Sequence, residues 1–100
     1  MFIRVWEYEV DAEHRREFTA LYGPDGPWGE LFARGSGFQA SELFRDGHPS
    51  GRFVVVDRWL DADHWVRFCS RFTGDYHALS ERCRRLARTE RLVFEGNSVS

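Results

Sequence analysis

Residues 38–59, FQASELFRDGHPSGRFVVVDRW, decide the fold. Phe38, Ala40, Glu42 and Phe44 alternate with Gln39, Ser41, Leu43 and Arg45, the two-residue period of a strand over residues 38–45. Asp46-Gly47-His48-Pro49-Ser50-Gly51 then has the composition of a hairpin loop. Residues 52–59 return as a second strand whose Phe53-Val54-Val55-Val56 run calls for burial on both faces.

Downstream, Asp61 stands where a helix N-cap would, and apolar side chains recur at 65, 68, 69, 72, 76, 79, 83 and 86. That period predicts helix over residues 61–88, either as one helix kinked at Gly74 or as two short ones. A short strand at 90–94 follows, and residues 97–100 form a polar tail. Upstream, Gly23-Pro24-Asp25-Gly26-Pro27-Trp28-Gly29 turns sharply before a short helical turn at 30–33. Its glycines do not make a phosphate cradle, because they follow a helix and the prolines remove amide donors. Before it, Asp11 is placed to cap a helix of about eleven residues carrying Phe18, Leu21 and Tyr22 and ending at Gly23. Residues 1–10, MFIRVWEYEV, complete the set as a strand with apolar residues on both alternation sets.

The order strand, helix, strand, strand, helix, strand is the ferredoxin-like α+β arrangement, a four-stranded antiparallel sheet with both helices on one face. At 100 residues the chain has room for one domain, expected over 1–96. Apolar side chains on the uncovered face require a second layer, and the economical cover is another copy of the chain about a two-fold axis.

Composition narrows the function classes. Apolar residues make up 42% and aromatic residues 16%, which excludes a disordered chain. The net charge of −2, with no lysine, offers no field for a nucleic-acid backbone, and no apolar run approaches the length of a membrane span. Cys69 and Cys83 fall at stripe positions and read as reduced, buried thiols of a cytoplasmic protein. His14, His48, His64 and His77 have no metal-ligand spacing, so no metal site is expected. Ser36 between Gly35 and Gly37 lacks the spacing of a nucleophile elbow. Arg82, Arg84, Arg85 and Arg88 lie off the apolar stripe, as a solvated face does.

Several segments together resemble the antibiotic biosynthesis monooxygenase superfamily of dimeric α+β barrels. These are Trp6-Glu7-Tyr8, Tyr22-Gly23-Pro24-Asp25-Gly26 before Trp28, Leu31-Phe32, Gly37-Phe38, Leu43-Phe44-Arg45-Asp46, and Asp57-Arg58-Trp59 before a Phe-rich helix. The resemblance covers nearly the whole chain and implies a homodimer. It also implies a small aromatic ligand bound between sheet and helices, and for part of the superfamily oxygenation without any cofactor. Trp28, Phe32, Trp59, Trp65, Phe68 and Phe72 are the ring-bearing candidates for such a pocket, with Tyr76 as a hydroxyl donor; plain core is the alternative for each. Trp59 resembles a tryptophan that recurs at the end of the third strand in relatives.

An oxygenase of this kind needs a base to ionise its substrate and a cation near the anion formed. Glu7, Asp57 and His64 are the candidate catalytic groups, with Arg58 as the cation. Structural pairing with arginine is the competing reading for Glu7 and Asp57, and local capping for His64. A one-residue change of strand phase exchanges pocket and partner interface for either carboxylate. Haem-degrading relatives use a helical histidine; His77 is its loose counterpart but points about 130° from the stripe, and residues 1–10 lack the asparagine those relatives carry. The expected function is a cofactor-independent monooxygenase acting on a small aromatic or quinol-like metabolite. A non-catalytic dimeric binding protein of the same fold is the alternative.

Overall fold

The computed structural model describes residues 1–48 and 50–99; the Pro49 part of the hairpin loop and the last residue of the tail lie outside them. Four strands, β1 (Phe2–Glu9), β2 (Phe38–Arg45), β3 (Arg52–Trp59) and β4 (Thr89–Asn97), form one antiparallel sheet in the order β2-β3-β1-β4. The helices α1 (Arg15–Tyr22), α2 (Pro27–Ala33), α3 (Ala62–Arg71) and α4 (Thr73–Cys83) supply the buried partners of one sheet face. This is the ferredoxin-like α+β fold expected from the order of elements.

Strand phase follows from burial on β3, where Phe53, Val55, Asp57 and Trp59 are at most 4% exposed. These four face the helices, so Arg52, Val54, Val56 and Arg58 face the other way. Register carries the assignment across the sheet: Phe2, Arg4, Trp6 and Tyr8 of β1 share the helix side with Trp59, Asp57, Val55 and Phe53. Two irregularities break the alternation. The register shifts between Phe38 and Ala40, so Phe38 packs on Phe32 and Trp59 while Ser41 and Leu43, of the opposite parity, also face the helices. A second shift lets Val93 bulge between Leu92 and Phe94, which pair with Trp6 and Val5.

Several local expectations are corrected. Asp11 makes no capping hydrogen bond; its carboxylate accepts from Arg88 Nη2 at 2.6 Å, and a 3-10 turn at Ala12–His14 precedes α1. Helix α2 begins at Pro27, where a fixed φ and a missing N–H are tolerated, rather than at Glu30. Residues 61–88 form two helices, and the joint is Phe72 (φ −115°, ψ 28°) rather than Gly74. Thr73 Oγ1 donates back to the Cys69 carbonyl at 2.5 Å across this joint. Asp61 does cap α3, accepting from His64 N at 2.9 Å. Strand β4 runs three residues beyond Phe94, so the tail begins inside the sheet.

The core is unusually aromatic. Trp59 and Phe18 are fully buried, and Trp59 meets Phe32, Phe38, Trp65 and Phe68 at centroid distances of 5.2–5.8 Å. No helix is long and apolar enough to cross a membrane among the described residues. Both cysteines are free thiols; Cys83 is buried as expected, whereas Cys69 is only half-buried.

Candidate functional site

Each strand of the sheet contributes one polar side chain to a row across its helix-facing side. Asp57 on β3 is the direct cross-strand partner of Ser41 on β2 and of Arg4 on β1, and Arg4 in turn pairs with Glu95 on β4. Ser41 Oγ donates to Asp57 Oδ1 at 2.7 Å, and Arg4 Nε donates to Glu95 Oε2 at 2.6 Å. The Arg4 guanidinium lies 4.1 Å from the Trp65 ring centre, a cation–π contact with a side chain of α3.

Above Ser41 and Asp57 a cleft of about 40 Å³ opens between the sheet and the helices. Its walls are Trp6 and Tyr8 of β1, Tyr22 of α1, Trp28 and Phe32 of α2, and Tyr76 and Ser80 of α4; Val55 completes the floor and Glu90 of β4 also lines it. Asp57 is 4% exposed, and this desolvation pushes its carboxyl up to about 6 against the hydrogen bond from Ser41 and the charge of Arg4. Burial also raises the hydroxyls of Tyr8, Tyr22 and Tyr76, so all three remain protonated near neutral pH. Trp28 Nε1 is buried without a hydrogen-bond partner. The cleft therefore combines flat apolar walls, neutral hydroxyl groups and one desolvated carboxyl that titrates near pH 6.

Of the residues singled out from the sequence, Asp57, Trp28, Phe32 and Tyr76 meet at this cleft. Trp59 and Trp65 pack behind it around Phe32. Phe68 and Phe72 line a separate groove of about 360 Å³ with Gly35, Ser36, Arg67, Ser70 and Arg71, where His64 also sits. His64 Nδ1 is 2.6 Å from Asp61 Oδ1, so the ring belongs to the start of α3. Glu7 lies on the opposite face of the sheet. Arg52 Nη2 at 2.7 Å and Arg91 Nη2 at 3.2 Å flank its carboxylate, and these hydrogen bonds, led by Arg52, hold it below the usual carboxylate range. Arg58 is on that face too, bonded to Glu42 at 2.5 Å. His77 is exposed, edge-on to the Tyr76 ring. No group of three potential metal ligands comes together among the described residues.

Arg4, Trp6, Tyr8, Tyr22, Ser41, Val55, Ser80 and Glu90 belong to the row or the cleft without having been candidates from the sequence. Arg4 was legible there, because it shares parity with Phe2, Trp6 and Tyr8. Ser41 was not, because the bulge after Phe38 inverts the parity of β2.

Fold and cleft together define a ferredoxin-like α+β protein with an aromatic cavity between its sheet and its helices. The chain belongs to the antibiotic biosynthesis monooxygenase family, whose sequence model matches residues 1–82. Among similar solved structures is SnoaB, a cofactor-independent oxygenase from Streptomyces nogalater, in a mutant form. It is 19% identical, with a TM-score of 0.72 over 99% of this chain and 93% of that one. An antibiotic biosynthesis monooxygenase of 19% identity matches with a TM-score of 0.68 over 100% of both chains. A dimeric ferredoxin-like protein from an uncultured marine organism, 13% identical, matches with a TM-score of 0.71 over 99% and 88%. At these identities the likeness establishes the fold. No curated protein matches the sequence.

Proposed function

We infer that the cleft is the active site of a cofactor-independent monooxygenase acting on a small phenolic, enolic or quinol-like aromatic, with Asp57 as its base. The observation that carries this reading is Asp57 itself: a carboxyl with a pKa of about 6, buried among rings and held by Ser41. A base of that strength takes an acidic O–H or activated C–H proton near neutral pH, and its desolvation favours the transfer. Family membership supports the same reaction class.

Oxygenation of an anthrone-like substrate would run through its carbanion. Asp57 takes one ring-CH₂ proton, the resulting carbanion gives an electron to oxygen, the radical pair combines to a peroxide anion at that carbon, and Asp57 returns its proton to give the hydroperoxide. Loss of the second C–H proton and of the distal oxygen as water leaves a carbonyl, so one oxygen atom enters the product and the other leaves as water. The space of about 40 Å³ holds little more than water, so a ring enters only as the side chains lining the cleft move aside.

The uncovered sheet face supports a homodimer. It presents Ile3, Val5, Val54 and Val56 with Phe44 and Phe94, the last two 50% and 52% exposed. Apolar side chains exposed on a sheet face, here flanked by the Glu7–Arg52 and Arg58–Glu42 pairs, need a second layer, and a second copy supplies it by symmetry.

The deciding experiment is oxygen uptake by the purified protein with a panel of anthrone-like and quinol compounds. Turnover in the wild type and its loss in Asp57→Asn is the expected result. Binding of the same compounds with no oxygen consumed would leave a binding protein instead.

A further inference from the structure

The residues lining the cleft do not include the cation that an oxygenase needs beside its substrate anion, and carry carboxylates instead. Two carboxylates, Asp57 and Glu90, line it with six aromatic rings, and no arginine or histidine is among the lining residues. The nearest cation in the polar row, Arg4, is taken up by Glu95 at 2.6 Å and by the Trp65 ring. Glu90 forms no ion pair among the described residues; its neighbours Arg88 and Arg91 are engaged by Asp11 and Glu7. Aromatic walls beside an unpaired carboxylate such as Glu90 recognise cations, because ring faces attract positive charge and the carboxylate gains a charge-assisted hydrogen bond.

The two carboxylates are also well separated. Asp57 lies in the row of Arg4 on β3 and Glu90 in the row of Tyr8 on β4, with β1 between them. Two inter-strand spacings and four residues of rise put their α-carbons about 16 Å apart. Asp57 and Glu90 therefore line opposite ends of the cleft, too far apart for one small polar group to meet both, and an extended ligand is needed to reach the two. Asp57 is buried at the floor and Glu90 is exposed to solvent, so the two ends of such a ligand meet different environments.

Resting on the oxygenase reading of the cleft, we propose that its ligand is a cationic aromatic amine, with the phenolic or enolic end directed at Asp57, the ring between Trp28, Tyr76 and Trp6, and the ammonium group at Glu90. Glu90 is a binding residue in this arrangement and takes no part in proton abstraction. A ligand carrying a carboxylate in place of the amine would set like charges against each other at Glu90 and be rejected.

Isothermal titration of the protein with three probes of similar shape tests this: tyramine, 4-ethylphenol and 3-(4-hydroxyphenyl)propanoate. Tyramine is expected to bind at least tenfold more tightly than 4-ethylphenol, with the propanoate weakest. Glu90→Gln should reduce the ratio between tyramine and 4-ethylphenol to less than about threefold. Equal affinities, a preference for the propanoate, no binding by any probe, or a ratio unchanged in Glu90→Gln would overturn the proposal. Oxygen uptake is read separately, so turnover of a neutral phenol with no amine preference defeats this inference alone. Amine binding without turnover defeats only the oxygenase reading.

Discussion

Arg4 and Asp57 are direct cross-strand partners, yet each side chain is claimed on its far side, Arg4 by Glu95 at 2.6 Å and Asp57 by Ser41 at 2.7 Å. The carboxyl is thus close enough to feel the guanidinium without being neutralised by it. Burial remains the larger influence, and Asp57 titrates near 6 rather than below 4.

A pH profile of the proposed reaction follows from that balance. The ionised carboxylate is the active form, so kcat/KM should rise with pH through an apparent pKa of about 6 and level off above it. Asp57→Asn should lower the plateau by a factor of about 100 or more, since general bases contribute on that order. Oxygen-electrode rates between pH 5 and 8 measure both.

The same group makes stability depend on pH in a stated direction. The Asp57 carboxyl titrates at about 6 in the folded protein against an ordinary value of 3.8, so between these values the folded state binds the extra proton. Its contribution to stability is intact below pH 4, falls as pH rises through 6, and stays low above. Asp57→Asn should therefore stabilise the protein by up to about 3 kcal/mol at pH 7.5 and by nearly nothing from this source at pH 4. Urea unfolding at the two pH values checks the sign.

Gly37 has φ of +86°, and a methyl group placed on it would stand 2.5 Å from the His64 ring. Gly37→Ala should cost about 2–3 kcal/mol from strain and overlap together. Adding His64→Ala should recover only the part due to the ring, because the His64 Cβ would still stand 2.8 Å from the new methyl, and should leave the backbone part; thermal unfolding of the double-mutant cycle resolves the two.

Trp59 is fully buried among four rings, so Trp59→Ala should cost about 3–5 kcal/mol by opening a void. Its indole Nε1 has no hydrogen-bond partner, and Trp59→Phe gives up less volume and removes that unsatisfied group, so its cost should be well below that of Trp59→Ala. Denaturant midpoints of the two variants make the comparison.

Sedimentation at micromolar concentration should return a dimer for the wild type. Val54→Asp places a charge in the middle of the uncovered sheet face, beside Glu7, and should shift the protein toward monomer while leaving the helix-facing core untouched. A wild-type monomer would defeat the dimer.

The order of elements was legible in the sequence because period-two alternation over residues 38–45 and 52–59, and the helical stripe after Asp61, are local consequences of which side chains must leave water. The aromatic character of the cleft and the candidacy of Asp57 were legible for the same reason. Which carboxylate faces the helices was not. Glu7 and Asp57 both sit in apolar strands, and only the register of β1 against β3 turns Asp57 toward the cleft and Glu7 toward Arg52 and Arg91. The bulge after Phe38, which carries Ser41 to the Asp57 carboxyl, was likewise decided by pairing between distant segments. Hydrophobic periodicity is a property of neighbouring residues, so the chain carries it on its own. Strand phase across a sheet depends on hydrogen bonds between residues far apart in the chain, and these exist only once the fold has brought them together.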